Sequence, residues 1–201
     1  MNAELKWLVD YFKHRHDVYA NHKYSTKHQL SYSFHLEMVN CQLQKFLKLD
    51  KHDFKPHEQI ILTAAAYGHD SIEDTRLTYN DVVALRPYKE LGEDQIISPN
   101  RMKQIADIIY LCTEYRGRNR EERHPAEYIN DIANDKFAAI VKLADLSANA
   151  TFSLMEYSSM YFKMMGEWDR KWMPAFHKYD TIKWYPKTIA YINNLYNLNQ
   201  S

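Results

Sequence analysis

His69 and Asp70 are adjacent in this chain, and Glu73 and Asp74 follow one helical turn later. An adjacent imidazole and carboxylate can both reach one divalent cation. On a helix, side chains four positions apart share a face. The spacing therefore places Glu73 above His69 and Asp74 above Asp70. Two candidate metal ligands and two candidate acid/base groups then occupy one patch. A hydrolase that holds a metal, orients a water and moves protons needs such a patch.

Two further residues extend the set. His35 sits in Tyr32-Ser33-Phe34-His35-Leu36-Glu37, at the start of an amphipathic pattern. Asp145 ends the apolar run Ile140-Val141-Lys142-Leu143-Ala144-Asp145, so its carboxylate is expected to be buried. A buried carboxylate is costly unless it is paired or binds a metal, and Lys142 is the alternative partner. Asn149 lies one turn beyond on the same face. His35, His69, Asp70 and Asp145 make two imidazoles and two carboxylates. That mixed set suits manganese or iron better than a thiolate-rich site would. The chain has ten His, and any one alone reads as a surface or capped side chain. The joint pattern is what carries the inference.

These residues resemble the HD superfamily of metal-dependent phosphohydrolases. Within it they are similar to the hydrolase domain of RelA/SpoT-type proteins and to the stand-alone small alarmone hydrolases. The His-Asp pair followed by Glu-Asp-Thr is present as His69-Asp70-Ser71-Ile72-Glu73-Asp74-Thr75. The later Val-Lys-Leu-Ala-Asp stretch, with its Asn four residues on, is present as Val141 to Asp145 with Asn149. Lys27, Tyr32 and His35 fit the order around the first His, and Ala20-Asn21-His22 is similar to the family's Ala-x-His element. The resemblance runs from about residue 15 to 152. It implies one divalent metal, Mn2+ or Fe2+, on His35, His69, Asp70 and Asp145. It implies that Glu73 and Asp74 activate the attacking water or shuttle protons, and that Asn149 helps hold the substrate. The implied reaction is removal of the 3′-diphosphate of a guanosine alarmone, (p)ppGpp, giving GDP or GTP and pyrophosphate.

The chain also departs from the family pattern. The family's Arg-Lys-Ser-Gly-Glu-Pro-Tyr loop reads Thr26-Lys27-His28-Gln29-Leu30-Ser31-Tyr32, so the Arg that packs on the base is Thr26. The family's Asn-Leu-Arg becomes Asn149-Ala150-Thr151. The C-terminal Trp, Arg and Tyr helix has no clean match in 155–172. These losses fall on base and ribose recognition. They motivate the alternative of an HD phosphohydrolase acting on another nucleotide: (p)ppApp, NADPH or a deoxynucleotide. A metal-containing binding protein without turnover is a third reading. No segment resembles a synthetase or regulatory domain.

Where the family carries phosphate-gripping residues, this chain has Thr113-Glu114-Tyr115-Arg116, then Arg118, Arg120 and Arg123. Forked guanidinium contacts could clamp a pyrophosphate, which makes Arg116 and Arg123, with Lys27, candidates for substrate binding. The competing reading is a solvated helix start with Arg–Glu pairs. Of the 16 Tyr, 8 Phe and 4 Trp, many gather between 157 and 185. At helical spacing such residues usually form core or a subunit interface, which leaves a homo-oligomer open. A minority reading sets one Tyr or Trp of 157–172 against a nucleobase.

The elements that must position these groups read as helices throughout. Only four Gly and six Pro occur, and apolar residues recur at three and four rather than two. Helices are expected over 4–20, 34–49, 56–70, 78–86, 101–115, 125–133, 135–151, 153–172 and 187–198, with polar connections at 92–99 and 115–125. Pro56 marks one helix entry, and Thr78 with Asp81 marks another. The expected fold is all-α, one HD-type helical domain over 1–201 and not a bundle, with 153–201 packed on the motif core. Lys+Arg and Asp+Glu are both 26, giving zero formal net charge. That argues against nucleic acid as a partner. Charges at Glu4, Lys6 and Asp10 leave no apolar signal core, and no stretch is apolar enough to span a membrane. Cys41 and Cys112 both read as buried thiols in a reducing compartment. A cytoplasmic protein acting on a small nucleotide is expected.

Overall fold

The structure, a computed structural model, describes residues 1–49, 53–87, 97–114, 116–156, 158–177 and 185–197. The fold is all-α. Apart from one two-stranded hairpin, the regular elements among the described residues are helical. The chain divides into two compact units, 1–40 with 55–113, and 41–54 with 114–201.

In the first unit, α1 (Ala3–His14) starts at Asn2, whose side chain accepts from Leu5 N at 2.7 Å. It runs into a π-helical turn, Arg15–Tyr19. The hairpin of β1 (Lys23–Ser25) and β2 (Leu30–Ser31) follows. Next comes α2 (Tyr32–Leu49), whose first half belongs to this unit. α3 (Pro56–Gly68) has Pro at its start, and Glu58 accepts from Lys55 N at 2.6 Å. The short helices α4 (Ser71–Asp74) and α5 (Tyr79–Val83) and the longer α6 (Pro99–Cys112) complete the unit. The expected cap of α5 forms: Asp81 N donates to Thr78 Oγ1 at 3.2 Å, and Thr78 N donates to Asp81 Oδ2 at 2.8 Å.

Helix α3 packs against α1 and α6. Leu8, Phe12, Leu62, Ala65, Ile105 and Ile109 are buried there. Tyr67 donates to Glu37 at 2.6 Å, and Lys13 pairs with the same carboxylate. These contacts tie α1, α2 and α3 together beside the buried face. Gly68 ends α3 where an added Cβ would lie 2.5 Å from Ile109 Cδ1 and 2.9 Å from Phe12 Cζ.

The second unit is built on α9. In chain order its elements are α7 (Arg120–Arg123), α8 (Ala126–Asn134), α9 (Lys136–Met155), α10 (Met160–Glu167), a π-helical turn (Trp168–Trp172), α11 (Met173–His177) and α12 (Tyr185–Asn197). Asp135 caps α9 by accepting from Phe137 N and Ala138 N. α9 contacts α8, α10 and α12 and is buried over most of its length. Trp168, Trp172, Tyr161, Phe176 and Tyr196 are all buried. Tyr161, Trp168, Trp172 and Phe176 are therefore core, as their spacing suggests, whereas Phe162 is exposed.

His124 is buried with a carboxylate at each ring nitrogen: Glu114 Oε1 at 2.6 Å from Nε2 and Glu167 Oε1 at 2.7 Å from Nδ1. Arg123 pairs with Glu114 at 2.8 Å and Arg120 with Glu167 at 2.5 Å. Burial alone would raise the Glu167 carboxyl. The hydrogen bond from His124 and the Arg120 charge overcome it and hold the group down at about 2.

Several expectations need correction. The helix expected over 4–20 keeps α geometry only to His14. The helix expected over 153–172 is divided: α9 ends at Met155, and Ser158 starts a new turn by accepting from Met160 N at 3.2 Å. Serine hydroxyls compete in this way for backbone groups. Cys41 is exposed, and Cys112 alone of the two is buried, because Cys41 falls off the apolar stripe of α2. The 92–99 connection as far as residue 96, and Tyr115, Tyr157, Tyr179 and Trp184, lie outside the described residues.

Gly68→Ala is expected to lower stability by about 1–3 kcal/mol through overpacking, read as a shift in the urea midpoint. Glu167 stabilises the fold when its folded-state carboxyl is ionised below its ordinary range. That contribution is present above about pH 4.5 and is lost as pH falls toward 2. Glu167→Gln should therefore shrink the acid-induced loss of stability in that window, measured by denaturant unfolding at a series of pH values.

Candidate metal centre

Three of the sequence-selected residues meet in the first unit. The ligand atoms of His35, His69 and Asp70 all lie within 4.8 Å of one another. His69 Nε2 is 2.9 Å from Asp70 Oδ2, and His35 Nε2 is 3.7 Å from it. Both imidazoles are 1% exposed.

Local structure explains the placement. Asp17 caps the first turn of α2 by accepting from Ser33 N at 2.9 Å, which orients the helix that carries His35. Tyr24, on β1, stacks on the His35 ring at 4.7 Å. α3 gives out at Gly68, leaving His69 as its cap, and Asp70 leaves helical geometry with ψ near 2°. His69 Nδ1 lies 2.9 Å from Ala66 O. A carbonyl only accepts, so in the neutral ring Nδ1 carries the proton and Nε2 presents its lone pair. A backbone carbonyl commonly orients a metal-binding histidine this way. Two imidazole nitrogens and a carboxylate oxygen, buried together, fit a divalent first-row ion.

The expected stacking of Glu73 on His69 and Asp74 on Asp70 is realised only in part, because α3 does not continue through the pair. Asp74 N still donates to Asp70 O at 2.8 Å, so this register survives across the break. Glu73 is exposed, whereas Asp74 is partly covered and turns toward His16 and His22. Asp74 Oδ2 is 3.3 Å from His22 Nδ1. Burial raises the Asp74 carboxyl and the Asp70 charge adds to the rise, with His22 and Tyr32 opposing. Tyr32 donates to Asp70 Oδ2 at 2.5 Å and stacks on both His16 and His22. In the sequence, Tyr32 and His22 stand out only as motif markers, and His16 not at all. Its setting in Lys13-His14-Arg15-His16-Asp17 looks like solvated surface, although it lies four residues beyond Phe12, in line with the buried stripe of α1.

Asp145 belongs to the second unit and is 5% exposed. It accepts from Lys142 Nζ at 2.9 Å and from Asn149 Nδ2 at 2.6 Å. The Lys142 pairing weighed from the sequence is thus present. Among the basic candidates, Arg123 is engaged with Glu114, Arg118 with Glu122 and Arg120 with Glu167. The 116–123 run accordingly takes the form of Arg–Glu pairs on and beside α7. Arg116 and Lys27 are exposed. Among the described residues, no helix is long and apolar enough to cross a membrane.

Compared with known proteins, the chain matches no protein-family model, no curated protein and no solved structure.

A ligand that binds only the folded state stabilises it by mass action, about 2.7 kcal/mol at a hundredfold excess over Kd. Mn2+ is expected to raise the melting temperature of chelator-treated protein, and EDTA to reverse the rise. His69→Ala should shrink it; an unchanged response in that variant would place the ion elsewhere.

Proposed function

We propose that this protein is a metal-dependent phosphohydrolase of the HD type, and that its substrate is a nucleotide with a 3′-diphosphate, a guanosine alarmone being the first candidate. The observation that carries the reading is the buried His35–His69–Asp70 cluster, with the His69 tautomer set by Ala66 O. The His-Asp…Glu-Asp-Thr and Val-Lys-Leu-Ala-Asp motifs support it by resemblance.

His35, His69 and Asp70 would hold the cation. When bound there, a divalent ion supplies Lewis acidity toward a phosphoryl oxygen. Tyr32 orients Asp70 through its 2.5 Å hydrogen bond. Burial of the two imidazoles keeps bulk water from the ligand nitrogens, which strengthens local electrostatics. Glu73 is exposed on the one-turn helix beyond the ligand pair, open to a water that must lose a proton. Asp74 stands beside it, turned toward the histidines. The reaction breaks the bond between the 3′ oxygen and phosphorus, and water supplies the new oxygen.

Purified protein given (p)ppGpp and Mn2+ is expected to release pyrophosphate. Release should fall at least a hundredfold in Asp70→Ala, and by about 10²–10⁴ in Glu73→Gln, the range of an acid/base contribution. Pyrophosphate or phosphate from (p)ppApp, NADPH or a deoxynucleotide instead, with the same dependence on Asp70, would keep the reaction class and change the substrate. No turnover of any of these, with metal bound, would overturn the enzymatic reading.

A further inference from the structure

His16, His22 and Asp74 form a second donor set, distinct from His35, His69 and Asp70. Their ligand atoms lie within 4.8 Å of one another. His22 Nδ1 and Asp74 Oδ2 are 3.3 Å apart, and His22 is about 41% exposed on its side chain. His16 is 0% exposed, and neither of its ring nitrogens has a hydrogen-bond partner. A buried polar group without a partner is costly and calls for an explanation. Nearly all such groups in folded proteins are satisfied by protein, water or an ion.

The backbone is arranged to make this set. His16 is buried within the π-helical turn Arg15–Tyr19; such turns recur at functional sites. Asn21 takes a left-handed conformation, φ 47°, which Asn tolerates better than most residues. The chain then doubles back, and His22 N donates to His16 O at 3.0 Å. Arg15 Nη2 donates to Thr75 O at 2.8 Å, fixing the π-helical turn against the end of α4 that carries Asp74. Three separate devices therefore converge on one point.

We infer that His16, His22 and Asp74 bind a second divalent transition-metal ion beside the first. Two imidazoles and one carboxylate match the donor set of open zinc sites, which keep a further position for water or substrate. Tyr32 joins the two sets, with its hydroxyl on Asp70 and its ring against His16 and His22. In this arrangement Asp74 serves as a ligand, and Glu73 is the carboxylate left to carry protons. The inference deepens the proposed function but rests on separate residues, so the two can fail separately.

The test is a count of bound zinc. Chelator-stripped full-length protein is loaded with Zn2+, passed through gel filtration and measured by elemental analysis, with circular dichroism as the check on folding. Two equivalents are expected for the native chain, one for His22→Ala, one for His69→Ala and none for the double variant. His22→Ala changes a half-exposed side chain and should keep the fold. Asp74→Asn should repeat its stoichiometry, while Glu73→Gln should keep two. One equivalent in the native chain, retained in His22→Ala and lost in His69→Ala, overturns the second site and leaves the first intact. One equivalent lost only in His22→Ala supports this site and overturns the His35–His69–Asp70 assignment. Two equivalents retained in His22→Ala place the second ion elsewhere and overturn the inference. No zinc in the native chain overturns both.

Discussion

Phe12 and Ile109 close on Gly68 from α1 and α6, leaving no room for a Cβ, and the candidate metal centre hangs from that contact. The close approach seats the end of α3 in the unit's buried interior. The two residues that follow are the imidazole and carboxylate of the centre. Because the helix stops there, His69 can turn Nδ1 back to Ala66 O and present Nε2 to Asp70. A helix continued through Asp70 would have kept the ligand pair and Glu73-Asp74 as one amphipathic stripe. The break divides them: Glu73 to solvent, Asp74 to the histidines.

Around this point the first unit is organised by polar contacts made through short, irregular segments. The π-helical turn, the left-handed Asn21, the small hairpin and the one-turn α4 each contribute a side chain or a backbone bond. Such segments are poor at burying apolar surface, and they persist because α1, α3 and α6 supply the packing behind them. Tyr32 is the hub, since it reaches Asp70 with its hydroxyl and His16 and His22 with its ring.

The second unit uses its ionisable groups differently. His124 lies between Glu114 and Glu167, and Arg120 and Arg123 close the network from outside. Arg120 faces Glu167 and Arg123 faces Glu114, so each of these charges has an opposite partner. Of the arginines that could have clamped a phosphate, Arg118, Arg120 and Arg123 are occupied by carboxylates, while Arg116 is exposed. Asp145 follows the same pattern with Lys142 and Asn149.

Helical class and the places of most of the long helices were legible in the sequence. Each depends on local periodicity or on residue type, which the chain displays directly. The helix starts at Thr78 and Pro56 were legible for the same reason, because a helix start is closed within three or four residues. The π-helical turn, the division of 153–172, the exposure of Cys41 and the burial of His16 were not. His16, flanked by Lys13, His14, Arg15 and Asp17, looks solvated from its neighbours, and its burial shows only in its spacing from Phe12. Residue type and spacing alone determined that this chain carries a His-Asp pair able to hold a cation. Only the tertiary structure decided that Asp74 meets His16 and His22. That choice is made by a helix end that α1 and α6 impose from more than thirty residues away in either direction.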